Sequence, residues 1–235
     1  MNKIRNWCGY DWFTQERWGQ IHKNKTQAWY DPSCVNVEAD NSISLLTKPS
    51  PKSFDIDGEK VLSPNGVGLI SCTKRFHYGR FEIKARLPKG KYLWPAFWMW
   101  SWDNWPPEID IFEGYSSKNF GYFRPSINNP SLWNVESNVH TRGVKAPPAR
   151  DHWLGVSSPD SRYIRYALEW RRDSLKFFYD DRLVRTVDDK DVMDYLADHR
   201  MNVVINNMIR NAAPEGYSEL SNFNIKYFKY EQYWQ

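Results

Sequence analysis

Three carboxylic acids fall within six residues, Glu108-Ile109-Asp110-Ile111-Phe112-Glu113, and large apolar side chains separate them. In a regular strand Glu108 and Asp110 share a face, about 7 Å apart at ~3.4 Å per residue. Glu113 has the opposite parity and would point away. One extra residue, a β-bulge near Ile111 and Phe112, would return it to the face of the other two. Three carboxylates on one face of a central strand repel one another and lose solvation, which raises at least one pKa. No run of Lys or Arg adjoins them in sequence. Two chemistries fit. Carboxylates can hold calcium or magnesium. Alternatively, two can act as a catalytic pair, one ionised and one protonated. Glycoside hydrolysis with retention uses such a pair about 5–5.5 Å apart.

The residues just before the acids bear on that choice. The chain carries 13 Trp, and aromatics make up 17% of it. Five of these Trp lie together: Trp94, Trp98, Trp100, Trp102 and Trp105. This exceeds what a core needs and suggests flat apolar platforms in a cleft, suited to planar rings or sugar faces. Along 92–102 the even positions Trp94, Ala96, Trp98, Trp100 and Trp102 share one side; Leu93, Pro95, Phe97 and Met99 share the other. A strand apolar on both sides belongs in the middle of a sheet. The Trp platforms favour a sugar substrate over a metal.

Strands must supply the frame. Residues 80–87 alternate Phe81, Ile83, Ala85 and Leu87 with charged neighbours, and 163–171 alternate in the same way. Further strands are predicted at 175–179, 183–187, 203–205 and 223–230. A short helix is predicted at 189–198, capped by Asp188 or Asp189. Residues 48–65 and 120–160 read as loops rich in Pro and polar residues. Many strands and almost no helix predict an all-β fold, an antiparallel sandwich or barrel. There is no internal repeat or linker, so residues 1–235 are expected to form one domain.

Composition excludes other classes. The net charge of +4 combines both signs along the chain, so no nucleic-acid partner is expected. No apolar run is long enough to span a bilayer, so no membrane partner is expected. Residues 1–12 show no apolar run after their basic residues, hence no visible secretory leader. Cys8, Cys34 and Cys72 are too few and too scattered for a disulfide framework or a zinc site.

At the acid cluster the chain resembles glycoside hydrolase family 16, jelly-roll endo-β-glycosidases of the laminarinase, agarase and carrageenase kind. The motif Glu108-Ile109-Asp110-Ile111-Phe112-Glu113 resembles the bulged form of that family's catalytic strand. Trp94-Pro95-Ala96-Phe97-Trp98-Met99 is similar to its Trp-rich strand. Gly68-Leu69-Ile70-Ser71, Tyr78-Gly79-Arg80-Phe81-Glu82 and Tyr166-Ala167-Leu168-Glu169-Trp170 are similar to further strands. The resemblance implies a two-sheet antiparallel β-sandwich, a jelly roll with a concave substrate cleft. It implies Glu108 as nucleophile, Glu113 as general acid and then base, and Asp110 between them. It implies sugar contacts for Trp94, Trp98 and Trp105, and a cleft-strand position for His140. Trp133 is a further candidate platform. No cofactor and no metal are expected, and a monomer is expected.

The chain also departs from the pattern. Ile164 stands where many members have His, and the residues after Asn206 lack the usual glycines. The family's Gly-Asn-x-Glu signature is absent around 24–29. Lys226 stands where members with a structural calcium place an Asp. The expected activity is retaining endo-hydrolysis of a β-1,3- or mixed β-1,3/1,4-glucan. A marine galactan (agar, porphyran or κ-carrageenan type) is the rival substrate, and a non-catalytic carbohydrate-binding protein the rival class. A sulfated galactan would need cations in the cleft, for which Arg75, Arg80, Arg124 and Arg142 are candidates. Such polysaccharides are met outside the cell, so a removed leader, release on lysis or a virus-borne protein would each reconcile the substrate with the visible N-terminus.

Overall fold

The computed structural model describes residues 2–114, 134–154 and 160–233. These form two layered β-sheets. The first runs, from edge to edge, Lys3–Trp7, Tyr10–Phe13, Leu69–Phe76, Met201–Ile209, Leu93–Trp100, Glu108–Glu113, Asn134–His140 and Arg150–Trp153. The second runs Arg182–Val187, Leu175–Tyr179, Ile164–Trp170, Gly79–Arg86, Ser221–Gln232, Ile43–Ile56, Glu59–Val67 and Ala28–Tyr30, with Val35–Val37 paired beside Ile43–Ile56. The expected all-β sandwich is the observed architecture. Its sheets are antiparallel except where Ala28–Tyr30 pairs in parallel with Glu59–Val67.

Period-two patterning explains the layers. Phe81, Ile83 and Ala85 of one sheet meet Phe97, Met99, Ile109 and Ile111 of the other in one buried cluster. Each fully buried Phe or Ile side chain contributes roughly 1.5–3 kcal/mol relative to exposure. The predicted helix is Lys190–Ala197; the Asp189 side chain caps it by accepting from the Asp191 and Val192 amides.

One loop expectation is corrected. Residues 48–65 are not a loop but most of a hairpin, Ile43–Ile56 with Glu59–Val67. The turn is Asp57-Gly58, both at positive φ (54° and 88°), as a tight two-residue hairpin turn requires. The prolines are accommodated where the register shifts, between Pro49 and Lys52. Residues 134–140 and 150–153, inside the second predicted loop, are also strands.

The acid strand sits in the middle of the first sheet, between Leu93–Trp100 and Asn134–His140. Its partners shift register as the bulge requires: Asp110 faces Trp98, Phe112 faces Phe97 and Glu113 faces Ala96. Ile111 is the extra residue. Ile111 and Phe112, adjacent in sequence, are both fully buried in the inter-sheet core. Without the bulge Phe112 would turn to the cleft and Glu113 into the core, where an unpaired carboxylate is costly. The bulge leaves the Ile111 carbonyl to find a donor across the sandwich, and the buried Tyr179 hydroxyl donates to it at 2.8 Å.

Tyr179→Phe therefore strips a buried carbonyl of its donor and should destabilise the protein by about 1–3 kcal/mol in urea unfolding. A loss under about 0.5 kcal/mol, the size of a neutral surface change, would show that the bulge does not depend on this bond.

Candidate active site

The outward face of the first sheet carries a cavity of about 500 Å³. Glu108, Asp110 and Glu113 line it with Trp94, Trp98, Trp100 and Trp105. The shared face inferred from sequence is thus present. Aromatic N–H groups orient the outer two acids. Trp105 Nε1 donates to Glu108 Oε2 at 3.0 Å, and Trp94 Nε1 donates to Glu113 Oε1 at 2.9 Å. Trp98 Nε1 donates to Asn206 Oδ1 at 2.7 Å, and Asn206 Nδ2 donates to the Trp94 carbonyl at 3.1 Å.

His140 faces Glu108 across the strand pair. Its Nε2 lies 3.5 Å from Glu108 Oε1 and 3.3 Å from Asp110 Oδ2. The Asp110 side chain is 3% exposed and that of Glu108 19%. Burial, then the charge of Asp110, pushes the Glu108 carboxyl well above the usual range, with His140 and the Trp105 N–H acting against this. Burial, then the charge of Glu113, pushes Asp110 well above its usual range. Glu108, Asp110 and His140 also bring three potential ligand atoms within 4.8 Å of one another. Two carboxyls raised by burial favour a shared proton as the charge-reducing arrangement. At the calcium position implied by the resemblance, the Lys226 ammonium sits 2.6 Å from Asp40. The Lys226 side chain offers no ligand oxygen there.

The loop bearing Trp105 is tied down from several sides. Arg17 donates to the Trp102 carbonyl and Arg142 to the Trp105 carbonyl, while Arg75 pairs with Asp103. Tyr195 donates its hydroxyl to the Pro106 carbonyl at 2.9 Å. The Trp105 ring is left 52% exposed over the acids.

Arg80 is not in this cleft, a correction to the sequence reading. Its strand belongs to the second sheet, and its parity is opposite to the core residues Phe81 and Ile83. It pairs with Glu82 at 3.0 Å and Glu169 at 3.1 Å. Arg75 and Arg142 are engaged by the Trp105 loop. Trp133 and Arg124 lie outside the described residues.

Several cleft residues escaped the sequence reading. The segment after Phe13 crosses the first sheet and brings Trp18, His22, Asn24 and Lys25 into the cavity wall; Tyr30, Asn206 and Met208 complete that end. No periodicity marks such a segment. Trp18, 42% exposed, packs on Trp100 with ring centroids 5.1 Å apart. Glu136, buried like Asp110 and Glu113, lies opposite Glu113 on the neighbouring strand. Glu16, wholly buried beneath the aromatic floor, is pushed up to about 8, chiefly by burial.

A profile described as "Glycosyl hydrolases family 16" matches residues 21–228. The chain belongs to this family. An "Endo-1,3-1,4-beta-glycanase" of Rhizobium meliloti (strain 1021) is 26% identical over 191 residues, 77% of this chain and 38% of that protein. A "Beta-1,3-glucan-binding protein" of Penaeus monodon is 30% identical over 126 residues, 48% of this chain and 32% of that protein. The chain thus spans about a third of the length of these two relatives. Among solved structures, the laminarinase catalytic domain from Thermotoga maritima MSB8 superposes with a TM-score of 0.72 at 20% identity, covering 89% of this chain and 84% of that one. At this identity the match shows a shared fold.

The raised Glu16 carboxyl makes a pH prediction. Its folded pKa of about 8 lies above the unfolded value near 4.5, so the folded state holds the extra proton between those limits. Stability contributed by that proton is fully present below about pH 4.5 and is lost as pH rises toward about 8. Glu16→Gln removes this loss, so the variant's melting temperature relative to wild type should rise between pH 5 and pH 8. A difference flat across that range would show that Glu16 does not carry the proton.

Proposed function

We propose that this chain is a retaining endo-β-glycosidase that cuts a β-linked polysaccharide, foremost a β-1,3- or mixed β-1,3/1,4-glucan. One observation carries the reading: the bulge aligns Glu108, Asp110 and Glu113 on the cleft face, each outer acid held by a tryptophan N–H. Family membership, the β-1,3-glucan named for one relative and the β-1,3-1,4 linkage named for the other support it. A substrate occupies the cavity with its sugar faces against Trp98, Trp100 and Trp105, as apolar ring faces favour aromatic platforms.

In the first step a Glu108 oxygen attacks the anomeric carbon. The bond to the leaving oxygen breaks as Glu113 gives that oxygen a proton. In the second step Glu113 takes a proton from water, whose oxygen displaces Glu108 from the sugar. Asp110 holds its proton through the cycle and offers it to Glu108, which sets the charge of the nucleophile and steadies it on departure. His140 Nε2 lies against both carboxyls. The intact acids favour an enzyme over a carbohydrate-binding protein without catalysis. The polysaccharide is its partner, and a single chain supplies every group these steps use.

A reducing-sugar assay on laminarin, lichenan, agarose, porphyran and κ-carrageenan tests this reading. Hydrolysis of a glucan is expected, falling to background in Glu108→Gln and by about 10²–10⁴-fold in Glu113→Gln. Binding without hydrolysis by the wild type, or full activity in Glu108→Gln, would contradict it.

A further inference from the structure

The wall of the cleft opposite the acids holds a positive charge that the steps above leave unused. The Lys25 ammonium lies over the Trp94 ring, 4.2 Å from its centroid, inside the cavity that also contains the acids. Among the described residues, no carboxylate comes within ion-pair distance of it. His22 lines the same wall and shares a turn with it: the Lys25 amide donates to the His22 carbonyl at 2.9 Å. A half-buried ammonium in an aromatic cleft has lost part of its hydration, and the ring face offsets only part of that loss. A neutral polysaccharide gives such a group hydroxyl acceptors alone. An anionic substituent gives it acceptors and an opposite charge together, a direct ion pair.

We propose that Lys25 is a specificity-determining residue: it selects a polysaccharide carrying an anionic substituent, a sulfate ester or a carboxylate, on the sugar unit that rests beside Trp94. This rests on the reading of the cleft as a polysaccharide site and narrows it, from a neutral glucan to a chain that carries such a substituent. Of the four cations sought from sequence, Arg75, Arg80 and Arg142 are engaged elsewhere, and Arg124 lies outside the described residues. Among the described residues, Lys25 is the Lys or Arg that lines the cleft. Burial lowers its pKa, and the charges of Glu108, Glu113 and Asp110 offset part of that effect. Its placement over Trp94 also fixes which sugar is read. Trp94 holds Glu113 through its N–H, so the selected unit lies next to the bond being cut.

The test uses laminarihexaose with its sulfated and carboxymethylated derivatives, titrated calorimetrically into the Glu108→Gln protein so that binding is read without turnover. With Lys25 present, at least one anionic derivative should bind about tenfold or more tighter than the neutral one. The two derivatives separate sulfate from carboxylate. Lys25→Met should bring the ratio close to one, and Lys25→Arg should keep most of it. A general structural role would weaken all three ligands together and leave the ratio unmoved. Equal or tighter binding of the neutral oligosaccharide, or a ratio unchanged in Lys25→Met, overturns the proposal. Tight neutral binding would still leave the polysaccharide reading standing, whereas absence of binding by all three defeats both.

Discussion

The acid strand has to serve two faces at once, and one inserted residue lets it do so. Its core face needs Ile109, Ile111 and Phe112, and its cleft face needs Glu108, Asp110 and Glu113. Strict alternation cannot satisfy both lists, because Ile111 and Phe112 are neighbours. The bulge resolves the conflict, and the Tyr179 hydroxyl from the opposite sheet donates to the Ile111 carbonyl within it. Catalytic geometry and sandwich packing are therefore joined at a single buried hydrogen bond.

Around that bulge the cleft manages an excess of negative charge. Burial and mutual repulsion drive Glu108 and Asp110 upward, while His140 faces both, the Trp105 N–H donates to Glu108 and the Trp94 N–H to Glu113. The aromatic residues thus have a second task besides offering faces to sugars: their ring nitrogens aim the acids. The arginines around the rim do something else. Arg17, Arg75 and Arg142 hold the loop that presents Trp105, so their charge is spent on backbone and Asp103. Arg80 braces the second sheet through Glu82 and Glu169. Lys25 differs from all four in reaching the cavity.

What was legible in the sequence follows from where periodicity is strict. The strands at Gly79–Arg86, Ile164–Trp170 and Leu175–Tyr179 alternate cleanly and lie where expected. The bulge was legible because two adjacent apolar residues inside an alternating acid motif leave few other solutions. The hairpin over Ile43–Val67 was not. Its prolines and serines imitate a loop, and only the pairing across Asp57-Gly58 reveals strands. Arg80 was misplaced because a motif says which residues share a strand, not which sheet receives it. Trp18, His22 and Lys25 were missed because a non-periodic segment reaches the site through tertiary packing alone, and Glu16 because nothing local marks a carboxyl for burial.

The account stands on Glu108 acting as a nucleophile within reach of C1, with Glu113 serving twice. The most direct measurement is the anomeric configuration of the first product, followed by proton NMR during early hydrolysis of the polysaccharide the protein cleaves. Two displacements at one carbon predict that the β-anomer appears first and the α-anomer only later, by mutarotation. An α-anomer appearing first would mean that water attacks directly, and would contradict the assignment of Glu108.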